Sequence, residues 1–307
     1  MADAPGGSLM VGLACGLVVP FIWSGWIVAS RFGVTHELTP YDVTALRVGV
    51  AAILVAPYAL RRGLGGLSIP KALVVSAGAG ALFGVTAFGG MSLAPVAHAG
   101  VLANGTMPIV AALLGFFWLG QRLRASQLAG MALILAGVLA IGGDGLFNAA
   151  QPGQWLGDLL FVASGALFAM YMTALRAWNV QIRQAIVAVP VVSSILYLPV
   201  WALWLPSGLL PGIVGTGPLP PWPEIALQTV YQGMVASLLV VMLVTRATRS
   251  VGPTVMAVFL SAVPAMATLL AIPLLDEWPS PLAVAGLVVA TLGMLLAVGL
   301  RRPGGAA

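Results

Sequence analysis

The sequence predicts an all-α integral membrane protein of ten transmembrane helices, built as a 5+5 inverted structural repeat with both termini cytoplasmic. Three observations predict it: a composition almost devoid of charge, ten long apolar stretches, and a residue register repeated between the two halves.

Hydrophobic residues make up 60% of the chain and charged residues 7%, with a mean hydropathy of +1.06. A soluble domain carries about 25% charged residues to wet its surface. The excess apolar surface must therefore face lipid. The net charge of +5 does not point to nucleic acid, because the arginines fall in short spacers and form no stripe with interleaved aromatics. Membrane orientation accounts for them instead. The single cysteine, Cys15, excludes an intrachain disulfide and reads as a small packing residue. The N-terminus lacks a positive region and the first apolar run is long for a signal peptide, so that run is expected to stay as a helix.

A helix needs about 20 apolar residues to cross the hydrocarbon core. The stretches that qualify are 9–30, 43–60, 70–92, 95–119, 126–143, 156–177, 184–205, 224–245, 251–275 and 281–300. Charge, Pro or Gly marks most breaks, as at Arg61-Arg62-Gly63. The spacer 206–223 is too broken by Pro and Gly to span, and is expected to hold at most an interfacial segment around Leu209 to Val214. Placing the loops on alternating sides puts Arg61, Arg62, Lys71, Arg122, Arg124, Arg176, Arg183, Arg246, Arg249, Arg301 and Arg302 on one side. The other side receives only Arg31 and Arg47 among the cations, with Glu37, Asp42, Asp144, Asp158, Glu224, Asp276 and Glu277. Positive loops stay cytoplasmic, which sets the orientation in a bacterial inner membrane.

Aligning 94–140 with 250–296 without gaps brings Pro108 onto Pro264, Gly130 onto Gly286 and Gly137 onto Gly293, with Gln121 on Glu277. A shorter match carries Gly12 to Gly157, Trp23 to Phe168, Trp26 to Tyr171 and Arg31 to Arg176. Leu and Ala matches carry little weight in this composition; the Pro and Gly matches carry more. An odd number of helices per unit turns the second copy upside down, an architecture many secondary transporters use. The division expected is 1–143 for the first repeat, 144–155 for a periplasmic linker and 156–302 for the second repeat.

The segments "PIVAALLGFFWLGQRLRASQLAGMALILAGV" and "PAMATLLAIPLLDEWPSPLAVAGLVVATLGM" carry a family resemblance. Each half resembles the EamA-type module of the drug/metabolite transporter superfamily, with a mid-helix Pro, a run ending in Gly/Asp-Glu, and a helix with spaced Gly. Gln121 departs from the module's usual Glu, while Glu277 keeps it. The resemblance implies a secondary transporter, and likeness to ten-helix bacterial members implies export of amino acids, aromatic ones included. A multidrug or cation exporter and a nucleobase exporter of the same fold are the alternatives. A lipid-modifying membrane enzyme is the alternative of another class, but His36 and His98 form no ligand or acid/base spacing with the scattered acids. No catalytic residue, metal or cofactor is expected. The partners expected are the bilayer and a small solute, and a monomer suffices.

Substrates of such folds bind near the midplane between the repeats. Counting from the span edges, the substrate-binding candidates are Trp23, Ser24, Trp26, Phe83, Phe88, Asn104, Phe168, Tyr171, Tyr231 and Gln232. Asn104 and Gln232 must face either a cavity or a neighbouring helix, since lipid satisfies no amide. Trp155, Trp178, Trp201, Trp204 and Trp222 read as interfacial anchors. Pro108 and Pro264 each remove a backbone donor and are the hinge candidates, with a packing kink as the alternative. His98 reads as a structural interfacial residue. Arg31 and Arg47 are expected to pair with Glu37 and Asp42, the alternative being an anionic group of a solute. With no Asp, Glu or Lys expected near a helix middle, movement down a gradient is expected, without a midplane carboxylate. The same lack of buried Lys or Arg argues against phosphorylated substrates.

Overall fold

The computed structural model describes residues 6–147, 152–210, 213, 215, 218–251 and 253–298. The fold is all-helical: α1 (Gly6–Thr35), α2 (Pro40–Arg62), α3 (Ile69–Ala79), α4 (Ala81–Leu93), α5 (Val96–Leu119), α6 (Ala125–Phe147) and α7 (Gln154–Ala177). Then come α8 (Ile182–Trp204), α9 (Trp222–Val230), a π-helical segment (Tyr231–Leu239), α10 (Val240–Val251), α11 (Pro253–Leu260), α12 (Val263–Leu275) and α13 (Pro281–Val298). Among the described residues, eight helical stretches are long and apolar enough to cross a bilayer, α3–α4 and α11–α12 each counting as one; Pro281–Ala297 is a shorter apolar helix. Of the interfacial segment expected around Leu209 to Val214, positions 211, 212 and 214 lie outside the described residues; Leu209 and Leu210 form a bend and Ile213 a turn.

Local chemistry sets the helix ends. Thr39 caps α2 by accepting from the Asp42 amide at 3.1 Å, while Asp42 accepts from the Thr39 amide at 3.0 Å. This reciprocal pair satisfies two of the orphan donors of a first turn. Arg61 and Arg62 fall in the last turn of α2, where the helix dipole favours cations. α5 and α12 end alike. Gly120 takes φ 63° after α5, and Asp276 takes φ 53° after α12. The next amide then folds back on the helix, Gln121 N to Gly115 O at 3.0 Å and Glu277 N to Ala271 O at 3.4 Å. Asp tolerates this left-handed region better than most non-glycine residues. The four positions are those equated by the sequence register.

The closest seam joins α6 and α13. A Cβ on Gly137 would lie 2.5 Å from the Gly286 carbonyl oxygen, and one on Gly286 would lie 2.9 Å from the Gly137 carbonyl oxygen. Gly130 meets Ala297 at 2.7 Å in the same way, and Gly293 meets the Gly130 carbonyl at 2.7 Å. Small residues spaced along both helices thus let the backbones touch. Elsewhere α1 packs on α10 and α12, α7 on α3, α4 and α5, and α2 on α8. The main core runs between α1, α4, α5, α7 and α12, around Ile27, Phe88, Val101, Leu102, Phe161 and Val263. Many large apolar side chains stay on the outside, among them Phe117, Leu139, Ile195 and Leu269, as expected of a surface that faces lipid.

The acid-rich end of the bundle is tied by polar contacts, and here two expectations are corrected. Arg31 does not pair with Glu37 or Asp42; its Nε donates to Glu277 Oε1 at 2.6 Å and its guanidinium also meets the Met91 carbonyl. Asp42 is fully buried and accepts from Thr39, Trp201 Nε1 at 3.0 Å, Ser207 Oγ at 2.5 Å and the Gly208 amide at 2.9 Å. With its oxygens filled by neutral donors, Asp42 has no role for an arginine. His98, buried rather than interfacial, bonds Asp158 through Nδ1 at 2.8 Å, with Asp144 at 3.8 Å from Nε2. Ser280 donates to Asp144 at 2.6 Å, which fastens the start of α13 to the end of α6.

Candidate functional site

A cavity of about 80 Å³, room for several water molecules, opens where α1, α2, α4, α5, α7, the π-helical segment and α12 converge. Trp23, Trp26 and Ile27 line it from α1, Arg47 from α2, and Phe83, Ala87 and Met91 from α4. α5 contributes Ala99, Ala103, Asn104 and Met107, and α7 contributes Phe161, Ser164 and Phe168. Ala236 and Val263 complete it.

Helix packing fixes these side chains. Trp26 and Phe83 stack at 6.3 Å with planes 15° apart, and Phe168 lies 5.5 Å from Phe83. The Trp26 indole N–H donates to Gln232 Oε1 at 2.6 Å. Gln232 in turn donates to Ser30 Oγ at 2.8 Å and to Gln228 Oε1 at 3.1 Å, and Gln228 donates to the Ala29 carbonyl at 2.6 Å. Both glutamines are fully buried. A fully bonded buried amide chain of this kind holds one rotamer, because any turn of Trp26 would strand a polar group in apolar surroundings. The π-helical turn carries Gln232 to that place, and Ser237 Oγ bonds the Gln232 carbonyl at 2.6 Å. Such wide turns are common at functional sites.

The ten residues expected from sequence divide into two sets. Trp23, Trp26, Phe83, Asn104 and Phe168 face the cavity. The other five surround it without lining it. Phe88 is fully buried behind Trp26 at 5.9 Å, and Tyr171 sits beyond Phe168 at 5.4 Å. Ser24 donates to the Val263 carbonyl at 3.1 Å, tying α1 to α12, and Tyr231 donates to the Ile22 carbonyl at 2.9 Å. Gln232 positions Trp26. Asn104 keeps a local bond as well, donating to the Gly100 carbonyl at 2.9 Å.

The two prolines differ. Pro108 lies inside the unbroken α5, where it leaves the Asn104 carbonyl without its i+4 donor. Pro264 stands in the first turn of α12, after the break at Ser261–Ala262, where the missing N–H costs nothing. Pro264 also packs against Gly100 of α5, 3.0 Å from where a Cβ would stand.

Arg47 is the residue that sequence reasoning placed elsewhere. It sits deep in the bundle, its guanidinium 5.6 Å from the Trp26 ring centre and 5.5 Å from that of Phe83. Arg31 is buried and Arg47 half-buried within the bundle, and Arg31 overturns the expectation that no arginine would be buried. The sequence did carry a signal. Asp42 and Arg47 are five residues apart, about 140° around a helix, so the two cannot share a face. No Asp or Glu lines the cavity among the described residues, and among them no group of three or more His, Cys, Asp or Glu forms a metal site. Among the interfacial tryptophans, Trp155, Trp204 and Trp222 are exposed, Trp178 carries Lys71 over its ring at 5.8 Å, and Trp201 bonds Asp42.

Long apolar helices packed around a small aromatic-walled cavity are those of a polytopic membrane protein. The EamA-like transporter family matches the chain twice, over residues 10–143 and 155–299, and the chain belongs to that family. No curated protein matches the sequence. One solved crystal structure is similar over 96% of this chain and 97% of its own, at 21% identity and a TM-score of 0.57, a likeness of fold alone.

Proposed function

We propose that the protein is a secondary exporter of small metabolites, amino acids and aromatic ones among them, working by alternating access through the cavity between two inverted five-helix halves. In this reading α9, the π-helical segment and α10 form the eighth of ten crossings, α13 the tenth, and the arginine-rich loops and both termini lie in the cytoplasm of a bacterial cell. The halves are residues 1–143 and 156–302, joined by a short periplasmic linker at 144–155.

One observation carries the reading: aromatic faces drawn from both family-matched segments, Trp23, Trp26 and Phe83 from one and Phe168 from the other, meet around one cavity. Aromatic walls bind apolar and aromatic bodies through area burial and ring contacts. Packing supports the inversion. Exchanging each helix with its counterpart turns the α1–α12 contact into α7–α5 and the α1–α10 contact into α7 with α3, while α2–α8 and α6–α13 map onto themselves. The matched left-handed ends at Gly120 and Asp276 support it too. The α11–α12 break before Pro264 and the carbonyl freed by Pro108 are natural hinges, both beside the cavity. With no carboxylate in the cavity wall, solute runs down its own gradient or exchanges.

Counterflow of labelled amino acids into proteoliposomes tests the reading. Uptake is expected for aromatic amino acids, lost in Trp23→Ala and Phe168→Ala and kept in Trp204→Ala, whose side chain is exposed. Equal losses in all three remove the cavity from the account, and cysteine labelling that puts positions 62 and 144 on one side removes the inversion.

A further inference from the structure

The acid that would neutralise Arg47 is missing from its surroundings. Arg31, the other deep arginine, is paired with Glu277 at 2.6 Å. Arg47 has no carboxylate within ion-pair distance among the described residues; it meets the faces of Trp26 and Phe83, and the phenol of Tyr171, a neutral group, is near enough to interact with it. The nearest acid in its helix, Asp42, is filled by Thr39, Trp201, Ser207 and Gly208. Arg47 is half-buried; even partial withdrawal of a cation from water without a counter-charge is costly, and a ring face returns only about 0.5–2 kcal/mol of that cost. The guanidinium lines the cavity and offers a planar fork of donors suited to a carboxylate. The remaining polar wall is modest and locally engaged: the Asn104 amide donates to Gly100 and the Ser164 hydroxyl to Phe161. No acid in the wall is placed to receive an ammonium group.

We infer that Arg47 is the anion anchor of this cavity and that the solutes are amphipathic monocarboxylates, recognised by carboxylate and apolar body, with an amino group dispensable. A single guanidinium balances one carboxylate; a phosphate dianion would keep an unmet charge in an apolar wall. This narrows the substrate class of the transport reading, and rests on that reading for every step after binding. The pairing itself is tested without flux.

The test is calorimetric titration of the full chain in lipid nanodiscs at pH 7 with three benzyl probes: phenylalanine, 3-phenylpropionate and phenethylamine. Phenylalanine and 3-phenylpropionate are expected to bind with similar affinity, and phenethylamine about ten- to hundredfold more weakly, the range of a hydrogen-bonded charge. Arg47→Gln is expected to remove that preference, and Arg47→Lys to keep part of it. Phenethylamine binding as tightly as 3-phenylpropionate to the unaltered protein overturns the anchor whether or not the variants fold, and so does carboxylate affinity that Arg47→Gln leaves unchanged. The absence of binding by either carboxylate overturns it as well. Arg47-dependent carboxylate binding with no flux in proteoliposomes would instead sink the transport reading and leave the anchor standing. Flux of other solutes indifferent to Arg47→Gln would do the reverse.

Discussion

Arg31 and Glu277 meet at 2.6 Å although 246 positions separate them in sequence, and the pair holds four helices together. Arg31 extends from α1 and also bonds the Met91 carbonyl near the end of α4. Glu277 stands just past α12 and accepts the Val96 amide at the start of α5 at 2.8 Å. Breaking such a buried pair from one side leaves the other charge stranded, at a cost of about 3–5 kcal/mol. Glu277→Ala is therefore expected to lower the melting temperature in detergent sharply, and the double change Arg31→Met with Glu277→Leu to recover much of it. A double variant no more stable than the single one would deny the pair this role.

In the repeat register the counterparts of Arg31 and Glu277 are Arg176 and Gln121, so the opposite end of the bundle lacks the acid. The ends of α5 and α7 already approach there, with Trp118 and Trp178 rings 5.3 Å apart. Gln121→Glu is expected to add an ion pair with Arg176 and so favour closure of the arginine-rich end. Labelling of a cysteine at Ser164 from that side should slow, and unchanged labelling refutes the assignment.

Gln232 holds the Trp26 indole, and in the proposed function it would act on solute only through Trp26. Gln232→Leu leaves the indole N–H buried and unpaired, a loss of about 1–3 kcal/mol. Solute affinity is expected to fall several-fold, with the change smaller in a Trp26→Phe background, which has no N–H to strand. Equal losses in both backgrounds would place Gln232 in contact with solute instead.

At its glycines the α6–α13 seam leaves no room for a side chain. Gly137→Val and Gly293→Val are expected to abolish folded protein, since a Cβ at either position lies within 2.7 Å of backbone atoms of the facing helix. Gly142→Val, at a position with nothing within 4 Å, should be recovered in normal yield by size-exclusion chromatography. Equal recovery of all three variants would contradict the seam.

Much of this was legible in the sequence because it depends on local pattern. Hydropathy located the helices, and spaced glycines such as Gly130, Gly137, Gly286 and Gly293 announced close helix approach. Depth along a span sufficed to bring Trp23, Trp26, Phe83, Asn104 and Phe168 to one cavity. What depth does not give is rotation about the helix axis. Tyr231, Gln232 and Ser24 sit at the right level and turn towards neighbouring helices. The pairing of charges was less legible still, because it depends on which donors the tertiary fold supplies. Asp42 is taken by Ser207 and Gly208, some 165 residues later in the chain, and this leaves Arg47 to the cavity.

Where α6 and α13 touch through bare backbone, carbonyl oxygens stand in the notches that missing side chains leave, and neither helix can slip past the other by a fraction of a turn. Shear is closed to this pair. Under the alternating access proposed above, the rearrangement would pivot on this seam while the other helices travel. A covalent staple between α6 and α13 would then be silent, whereas one between α1 and α12 would stop transport.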